Sequence, residues 1–291
     1  LRQHLAGISP ERTSALTGIA VAELEQVAYL YSHARSAFTA YGMGITQFQS
    51  GTNNVVAVSN LALACGQIGR PGTGINPLRG QNNVQGACDM GSFPHELSGY
   101  RHISDGTTRA LFEGEWGVTL DPEPGLRIPN MLDSAIDGHF KGLFVHGEDI
   151  AQSDPNTAHV ESALSSMELV VVQDLFLNET AKFDHVFFPG TSFLEKDGTF
   201  SNDERRINRV RPTGAPRTGK HEWQIVCELA NAMGHPMHYD DASQIMDEIA
   251  TLTPTFAGVS FARLDELGSV QWPCNENTEE TGTAIMHVDK F

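Results

Sequence analysis

The sequence predicts an α/β protein built on doubly wound, mainly parallel sheets of the Rossmann-like kind. Short apolar strands, each closed by glycine or polar residues, alternate with helical segments along the chain. Three such strands follow one another between residues 141 and 190, with helices between them. Strands that alternate with helices are typical of parallel sheets covered by helices, so both observations favour the same class of fold.

The composition excludes several classes of protein. The 291 residues include 36 acids and 19 bases, and the net charge of −17 argues against non-specific binding to nucleic acid or anionic membranes. The four cysteines contain no CxxC pair, which predicts reduced thiols and no self-contained metal cluster. A reducing, cytoplasmic location is therefore expected. The sequence has no apolar run of membrane-spanning length. The first residue is Leu, and we expect the chain to be cut from a longer one.

The first third predicts a strand and helices around a glycine turn. A helix begins at Ser9-Pro10, where Ser is a good cap and Pro fits the first turn. Helices are predicted over residues 21–34 and 52–67, with Gly69 as the cap that ends the second. Residues 36–41 read as a buried strand, and Gly42-Met43-Gly44 follows it as a tight turn.

Residues 76–91, NPLRGQNNVQGACDMG, are the most unusual stretch of the chain. Glycines supply unusual backbone angles, amides supply neutral donors and acceptors, and Arg79 is the single cation. The composition suits a loop wrapped around a large polar ligand. A solvated surface loop explains the same composition equally well.

The middle of the chain returns to the α/β pattern. Residues 92–138 are irregular, with a short helix near 107–116. Strands are predicted over 141–146, 168–172 and 185–188, with a helix over 156–165 and a helical turn over 179–182. Right-handed crossovers would bring the three strand ends to one edge of a parallel sheet.

Polar residues follow each of these strands. They are Glu148, Asp149 and Ser153 after the first, Gln173 and Asp174 after the second, and Thr191, Glu195 and Lys196 after the third. Ligands bind at the carboxyl edge of open α/β sheets, where paired acids can hold ribose hydroxyls or a guanine edge. Acids in these positions can equally cap the following helices, and the sequence leaves both interpretations open.

The remainder predicts two helices and a loop. Residues 198–211 read as a loop with four arginines, which are expected mainly to pair with acids of the protein itself. Helices are predicted over 221–233 and 242–251, and the last forty residues are irregular. His235 and His238 have helical ligand spacing, but Pro236 intervenes, so we do not expect a metal there.

Several stretches together identify a family resemblance. They are GMGITQ (42–47), GQIGRPGTGINP (66–77), NPLRGQNNVQGACDMG (76–91), HGEDIAQSD (146–154), residues 171–206, EWQI (222–225) and MGHPMHY (233–239). In this order they closely resemble the catalytic subunit of molybdenum- or tungsten-dependent formate dehydrogenases, of the bis-molybdopterin guanine dinucleotide oxidoreductase family. The resemblance covers nearly the whole chain.

The resemblance implies a substrate site around Arg79 and Gln81. In the family, the matching arginine lies beside the metal and orients the formate carboxylate, and Gln81 would be its neighbour. A guanidinium suits this role because it pairs with a carboxylate through two parallel hydrogen bonds and stays charged. The related nitrate reductases lack this arginine, so Arg79 would select formate.

The resemblance also implies which residues hold the bis-molybdopterin guanine dinucleotide cofactor. The implied contacts are Met43, Gln47, Glu148, Asp149, Ser153, Gln173, Asp174, Lys196 and Glu222. At the last position the family usually has Asp.

By the same resemblance, the chain is a middle fragment whose fold is incomplete at both ends. Residues 1–81 would end one cofactor domain and carry the active-site loop, 82–193 would form a second, and 194–291 would be partial segments of the iron–sulfur domain. The [4Fe–4S] ligands and the metal-ligating selenocysteine or cysteine would lie upstream. The span alone is therefore expected to be inactive, with no metal ligand of its own.

Three functions remain to be compared. The first is formate oxidation to carbon dioxide within a complete enzyme, with formate and electron-transfer subunits or an acceptor protein as partners. The second is a sister molybdoenzyme acting on nitrate or another oxyanion. The third is a non-catalytic α/β fragment that binds a nucleotide-like ligand or a partner subunit.

Overall fold

The computed structural model describes residues 2–278 and 281–288. The chain divides into two units, residues 1–80 with 284–291, and residues 81–283. The first boundary falls between Gly80 and Gln81, inside the glycine-rich stretch. The three-domain division drawn from the sequence stays a prediction.

The first unit contains five helices and two strands among its described residues. They are α1 (Arg2–Leu5), α2 (Pro10–Thr17), α3 (Val21–His33), β1 (Phe38–Tyr41), α4 (Met43–Thr46), α5 (Gly51–Ala64) and β2 (Gly74–Pro77). Strands β1 and β2 pair in parallel, with Phe38 opposite Gly74 and Tyr41 opposite Pro77. As predicted, Ser9 caps α2 by accepting a hydrogen bond from the Arg12 N–H.

Two expectations for the first unit are wrong in detail. The strand predicted over 36–41 is shorter and is not buried, because Phe38 is 56 % exposed and every second residue is exposed. Helix α5 ends at Ala64 with Cys65 as its cap, so Gly69 does not end it. The chain already turns at Gly66, which has a left-handed φ of 64°, three residues before Gly69.

The second unit begins with helices and short strands. In chain order they are α6 (Val84–Asp89), β3 (Glu96–Leu97), β4 (Arg101–His102), α7 (Gly106–Trp116), α8 (Ile128–Ile136), β5 (Gly142–His146), α9 (Ile150–Ser153), α10 (Thr157–Ser166), β6 (Leu169–Asp174) and β7 (Val186–Pro189). The predicted short helix near 107–116 is α7. The region 92–138 also contains α8 and the β3–β4 pair, which were not predicted.

Strands β5, β6 and β7 form the parallel sheet that the sequence predicts. The order is β5-β6-β7, and His146 lies opposite Gln173 while Asp174 lies opposite Pro189. Helices α8 and α10 cover one face, where Val145, Val170 and Val172 join their buried side chains in one core. The other face is more open, since Phe144 is 39 % exposed.

The rest of the second unit forms an antiparallel sheet with helices. Its elements are β8 (Gly198–Ser201), β9 (Arg206–Val210), α11 (Glu222–Ala232), α12 (Ala242–Leu252), α13 (Phe261–Leu267) and β10 (Ser269–Gln271). The sheet order is β10-β9-β8, and a second core around Ile207, Phe256 and Leu264 lies beneath it. The predicted loop 198–211 is thus a hairpin, and the final forty residues are more regular than expected.

The arginines of the hairpin contact the protein itself, as expected. Arg209 pairs with Asp197 at 2.6 Å and stacks over the Phe261 ring at 3.6 Å. Arg211 pairs with Asp265, and Arg206 pairs with Glu204 at 3.1 Å. Arg209 and Arg211 thus join the antiparallel sheet to α13.

Among the described residues, no helix combines the length and the apolar composition needed to cross a membrane.

Candidate functional site

The parallel sheet of the second unit brings the predicted polar residues to one edge. Gly147 and Gly190 turn the chain immediately after β5 and β7, and their N–H groups donate to the carbonyls of Gln173 and Asp174, each at 2.8 Å. These bonds extend the sheet by one step and align its three carboxyl ends. The segments that follow the three strands therefore begin side by side at the same edge of the sheet.

Glu148 and Ser153 form a local pair at this edge. The Ser153 hydroxyl donates to Glu148 Oε1 at 2.7 Å, across the single turn of α9. Glu148 remains exposed, so its carboxylate is open to a ligand. The nearby charge of Glu148 adds to burial in raising the pKa of Asp154.

Asp149 lies between two segments of the chain. Its Oδ1 accepts hydrogen bonds from the Thr180 N–H at 2.9 Å and the Thr180 hydroxyl at 2.6 Å, and its Oδ2 accepts one from Gln152 at 2.6 Å. Burial alone raises the pKa of Asp149, but these hydrogen bonds outweigh it and lower the pKa below its usual value. Asp149 does not cap the helix that follows it, since α9 has no side-chain cap hydrogen bond. Its carboxylate instead accepts donors at the start of the 3-10 turn Thr180–Phe183.

Gln173 differs from its neighbours. Its side chain is 0 % exposed, and neither the amide nitrogen nor the amide oxygen has a hydrogen-bond partner in the described part of the chain. Buried side-chain amides are nearly always paired, and leaving one unpaired costs about 1 to 3 kcal/mol for each group. A donor and an acceptor are thus held unpaired at the end of the central strand.

Asp174, the next residue, is engaged locally. Its Oδ1 accepts the Leu175 N–H at 2.5 Å and its Oδ2 accepts the Asn178 amide at 2.9 Å. The side chain orders the segment that leaves β6.

Lys196 and Glu222 form an ion pair on the third strand's side of the edge. Lys196 Nζ lies 3.0 Å from Glu222 Oε1, which also accepts the Thr191 N–H at 2.8 Å, while the Thr191 hydroxyl donates to Glu222 Oε2. Burial raises the pKa of Glu222, but the hydrogen bonds from Thr191 and Lys196 together lower it below its usual value. The predicted contacts Lys196 and Glu222 therefore lie together, with one positive and one negative charge.

His146 is a residue of this edge that sequence reasoning did not single out. It ends β5 opposite Gln173, and its ring stacks on Phe144 with the centroids 6.2 Å apart. The loss of solvent around the ring lowers the pKa of His146, opposed by the charge of Glu222 and reinforced by that of Lys196. Its position as the last residue of a strand, before Gly147, was the signal available in the sequence.

In the first unit, Met43 and Arg79 lie at the carboxyl edge of the β1–β2 pair. Met43 begins α4 directly after Gly42, and Gln47 ends that helix with its N–H donating to the Met43 carbonyl at 2.9 Å. The Leu78 N–H donates to the Tyr41 carbonyl at 2.7 Å, so Arg79 follows the last bond of the pair. Met43, Gln47 and Arg79 are all exposed there.

The segment after Gln81 is held by buried contacts within the second unit. The Asn83 side-chain oxygen accepts the Ser201 N–H at 2.9 Å, and a Cβ on Gly86 would lie only 2.2 Å from that oxygen. The Asp89 carboxylate accepts the Tyr100 hydroxyl at 2.6 Å. The expectation that 76–91 is loop throughout is wrong, because residues 84–89 form α6.

The described residues contain no cluster of three or more His, Cys, Asp or Glu side chains that could hold a metal ion. All four cysteines are free thiols, and Cys227 and Cys274 are buried.

The fold and the edge define an α/β protein with polar groups gathered at the carboxyl ends of parallel strands, the usual place for a nucleotide-like ligand. A family profile for molybdopterin oxidoreductases matches residues 6–232. The chain belongs to the molybdopterin oxidoreductase family. Membership implies a molybdopterin cofactor that carries molybdenum or tungsten.

Formate dehydrogenases are among the most similar curated relatives. The alpha subunit of F420-dependent formate dehydrogenase 1 from Methanococcus maripaludis is 44 % identical to this chain. The match includes 100 % of this chain and 43 % of that protein. Formate dehydrogenase H of Escherichia coli is 39 % identical, again over 100 % of this chain and 41 % of its own length. The chain thus spans about two fifths of the relatives that it matches.

A solved structure shares the fold at much lower identity. Acetylene hydratase from Pelobacter acetylenicus superposes with a TM-score of 0.67 at 14 % identity, covering 93 % of this chain and 40 % of that one. This likeness confirms the α/β fold with parallel sheets.

Proposed function

We propose that this chain is part of the catalytic subunit of a formate dehydrogenase. The observation that carries the proposal is the 39–44 % identity to formate dehydrogenases over the whole chain. The reaction is the oxidation of formate to carbon dioxide, which releases two electrons and one proton. Electron-transfer subunits or an acceptor protein in the cytoplasm would receive the electrons, through a [4Fe–4S] cluster of the complete enzyme.

Arg79 is the proposed substrate-binding residue, with Gln81 beside it in sequence. Its exposure at the end of β2 supports the role, because an accessible guanidinium can form two parallel hydrogen bonds with a small carboxylate. Arginine stays protonated across the working pH range, so it would orient formate without competing for its proton. The guanidinium is in place before the reaction begins, and a charge stabilised by such a preorganised group needs no rearrangement of the protein.

The residues present fit a bis-molybdopterin guanine dinucleotide. The unpaired amide of Gln173 offers a donor and an acceptor, which suits the edge of a guanine or pterin ring. Glu148 and Ser153 could accept ribose hydroxyls, and Lys196, beside Glu222, could meet a phosphate. Asp149 and Asp174 would act mainly by ordering the backbone. Within the first unit, Met43 and Gln47 are exposed and would serve as cofactor contacts. When bound, the cofactor would supply the metal that takes up the electrons.

Metal and nucleotide analysis tests whether the purified protein carries this cofactor. We expect molybdenum or tungsten together with guanine nucleotide at about two nucleotides per metal, the ratio of a bis-dinucleotide. A Gln173→Leu variant should lower both contents in parallel. Metal without guanine nucleotide would contradict the dinucleotide form. The absence of both metal and nucleotide would contradict cofactor binding by the protein as purified.

Dye reduction with formate and with nitrate separates the substrate classes in the holoenzyme. An Arg79→Lys variant should lose at least tenfold in formate turnover while keeping its metal and nucleotide, because lysine cannot form the paired hydrogen bonds. Arg70→Lys, a change at an arginine that bonds the Gly66 carbonyl, is the matched control. Unchanged formate turnover in Arg79→Lys would remove the role assigned here. Nitrate turnover by the unmodified holoenzyme would favour a sister molybdoenzyme instead.

A further inference from the structure

A cavity of about 360 Å³ lies in the second unit, away from the strand-end edge described above. Helix α7, helix α12 and the segment after α11 form its walls. The lining residues are Glu115, Trp116, Val118, His235, Pro236, Met237, His238, Tyr239 and Glu248. Ligand pockets range from about 300 to 1,000 Å³, so this one suits a single side chain better than a dinucleotide.

Glu248 is held in place by two aromatic residues. Its Oε1 accepts the Trp116 indole N–H at 2.9 Å, and its Oε2 accepts the Tyr239 hydroxyl at 2.5 Å. An ionised carboxylate offers about four lone-pair sites, so each oxygen can still accept another donor. The carboxylate is thus fixed in orientation and keeps capacity for a ligand.

The segment 235–239 is built into the fold. The Asn231 side chain donates to the Met237 carbonyl at 2.7 Å and accepts the Met237 N–H at 3.2 Å. The Asp240 N–H donates to Gln244 at 2.8 Å, which joins the end of the segment to α12. The wall that carries Tyr239 is therefore ordered before any ligand binds.

The cavity is negative in charge. Glu115 and Glu248 both line it, and neither lysine nor arginine is among the lining residues. Burial, the hydrogen bond to Glu248 and the charges of Glu248 and Glu115 all raise the pKa of Tyr239. The chain as a whole carries −17, so the surroundings add to the attraction for a cation.

We propose that this cavity binds the guanidinium of an arginine side chain on a basic partner protein. The inference is independent of the proposed formate chemistry. A guanidinium is planar, weakly hydrated and rich in donors, so it can stack on the Trp116 ring while donating to Glu115 and Glu248. Arginine and aromatic residues are also the groups most enriched at binding hot spots.

The test follows the indole N–H signal of Trp116 by NMR in the purified protein, with Trp116→Phe used to assign it. Acetyl-Gly-Arg-Gly-amide is titrated against the same peptide with citrulline, which keeps the shape but lacks the charge. We expect the arginine peptide to shift the Trp116 signal in a saturable way. The citrulline peptide should bind at least tenfold more weakly.

Variants locate the binding. Glu115→Gln should weaken binding of the arginine peptide at least fivefold without changing the fold, since Glu115 is exposed. Glu161 is an exposed acid on α10 outside the cavity, so Glu161→Gln should leave the affinity for the arginine peptide unchanged. Equal binding of the arginine and citrulline peptides, or no shift at Trp116, would each overturn the proposal.

Discussion

Gln67 in the first unit and Gln173 in the second are both buried, at 1 % and 0 % exposure, but their side chains have opposite surroundings. Gln67 accepts the Ala37 N–H at 2.9 Å and donates to the Ala34 carbonyl at 3.1 Å, so it joins the start of β1 to the end of α5. Gln173 has no partner among the described residues. One glutamine is bonded into the framework, whereas the buried amide of the other lacks a partner in the described part of the chain.

The presence or absence of hydrogen-bond partners within the protein distinguishes structural polar residues from candidate functional ones. A satisfied buried amide stabilises its surroundings, whereas an unsatisfied one costs free energy that a new hydrogen-bond partner, such as a ligand or a bound water, would recover. The acids at the same sheet edge divide in a similar way. Asp149 is engaged by donors from Thr180, whereas Glu148 is exposed and accepts a hydrogen bond from the neighbouring Ser153.

The largest effect should come from Gln67→Leu. The change leaves the Ala37 N–H and the Ala34 carbonyl without their partner, so we expect the free energy of unfolding to fall by about 2 to 4 kcal/mol. Gln173→Leu is the matched change in the second unit, and it should leave the stability of the cofactor-free protein unchanged or higher. Urea unfolding at pH 7 measures both. A loss for Gln173→Leu as large as for Gln67→Leu would break the comparison.

Two glycines extend the comparison to backbone packing. A Cβ on Gly51, at the start of α5, would lie 2.1 Å from the Thr46 carbonyl oxygen, which is backbone and cannot move aside. Gly51→Ala should therefore destabilise the protein by about 1 to 3 kcal/mol.

The same change at Gly86 should cost less, about 1 kcal/mol, because the Asn83 side chain can rotate away and lose only its bond to Ser201. Gly114→Ala, in α7 with nothing within 4 Å, is the control and should be neutral or stabilising. Thermal unfolding ranks the three variants. An equal cost at Gly51 and Gly86 would show that the Asn83 side chain is as rigid as backbone.

The smallest effects concern two acids near the strand ends with opposite pKa shifts. The pKa of Asp149 is lowered, because its hydrogen bonds outweigh burial, and that of Asp154 is raised by burial and by Glu148. The stability due to Asp149 is therefore present at neutral pH and is lost as the pH falls through its folded pKa. For Asp154 the sign is reversed, and acid relieves an unfavourable charge.

Asp149→Asn should thus destabilise the protein at pH 7, with the difference from the unmodified protein shrinking below about pH 4. Asp154→Asn should be neutral or stabilising at pH 7, and its difference should also shrink in acid. Urea midpoints of the unmodified protein and both variants at pH 7 and pH 3.5 give the stability difference of each variant at each pH. A destabilising Asp154→Asn at pH 7 would contradict the direction assigned to that carboxyl.

Much of the fold follows from local sequence signals. The strands β5, β6 and β7 and their parallel order were predicted because each is an apolar run closed by glycine or polar residues. The hairpin β8–β9 was missed, since its four arginines look like a solvated loop until Asp197, Asp265 and the Phe261 ring neutralise and cover them. Helix α8 was missed because prolines and charged residues surround a short amphipathic segment.

The sequence by itself determined the class of the protein, its parallel sheet and the set of polar residues at the strand ends. These depend on short-range patterns: apolar runs, capping residues and glycine turns. Only the tertiary structure decided which of those residues have hydrogen-bond partners within the protein. Thr180, which donates twice to Asp149, lies about thirty residues away in the chain, and the unpaired amide of Gln173 is visible only when every neighbour is in place. Hydrogen bonds form between groups that folding brings close together, and separation along the sequence does not predict which groups these are.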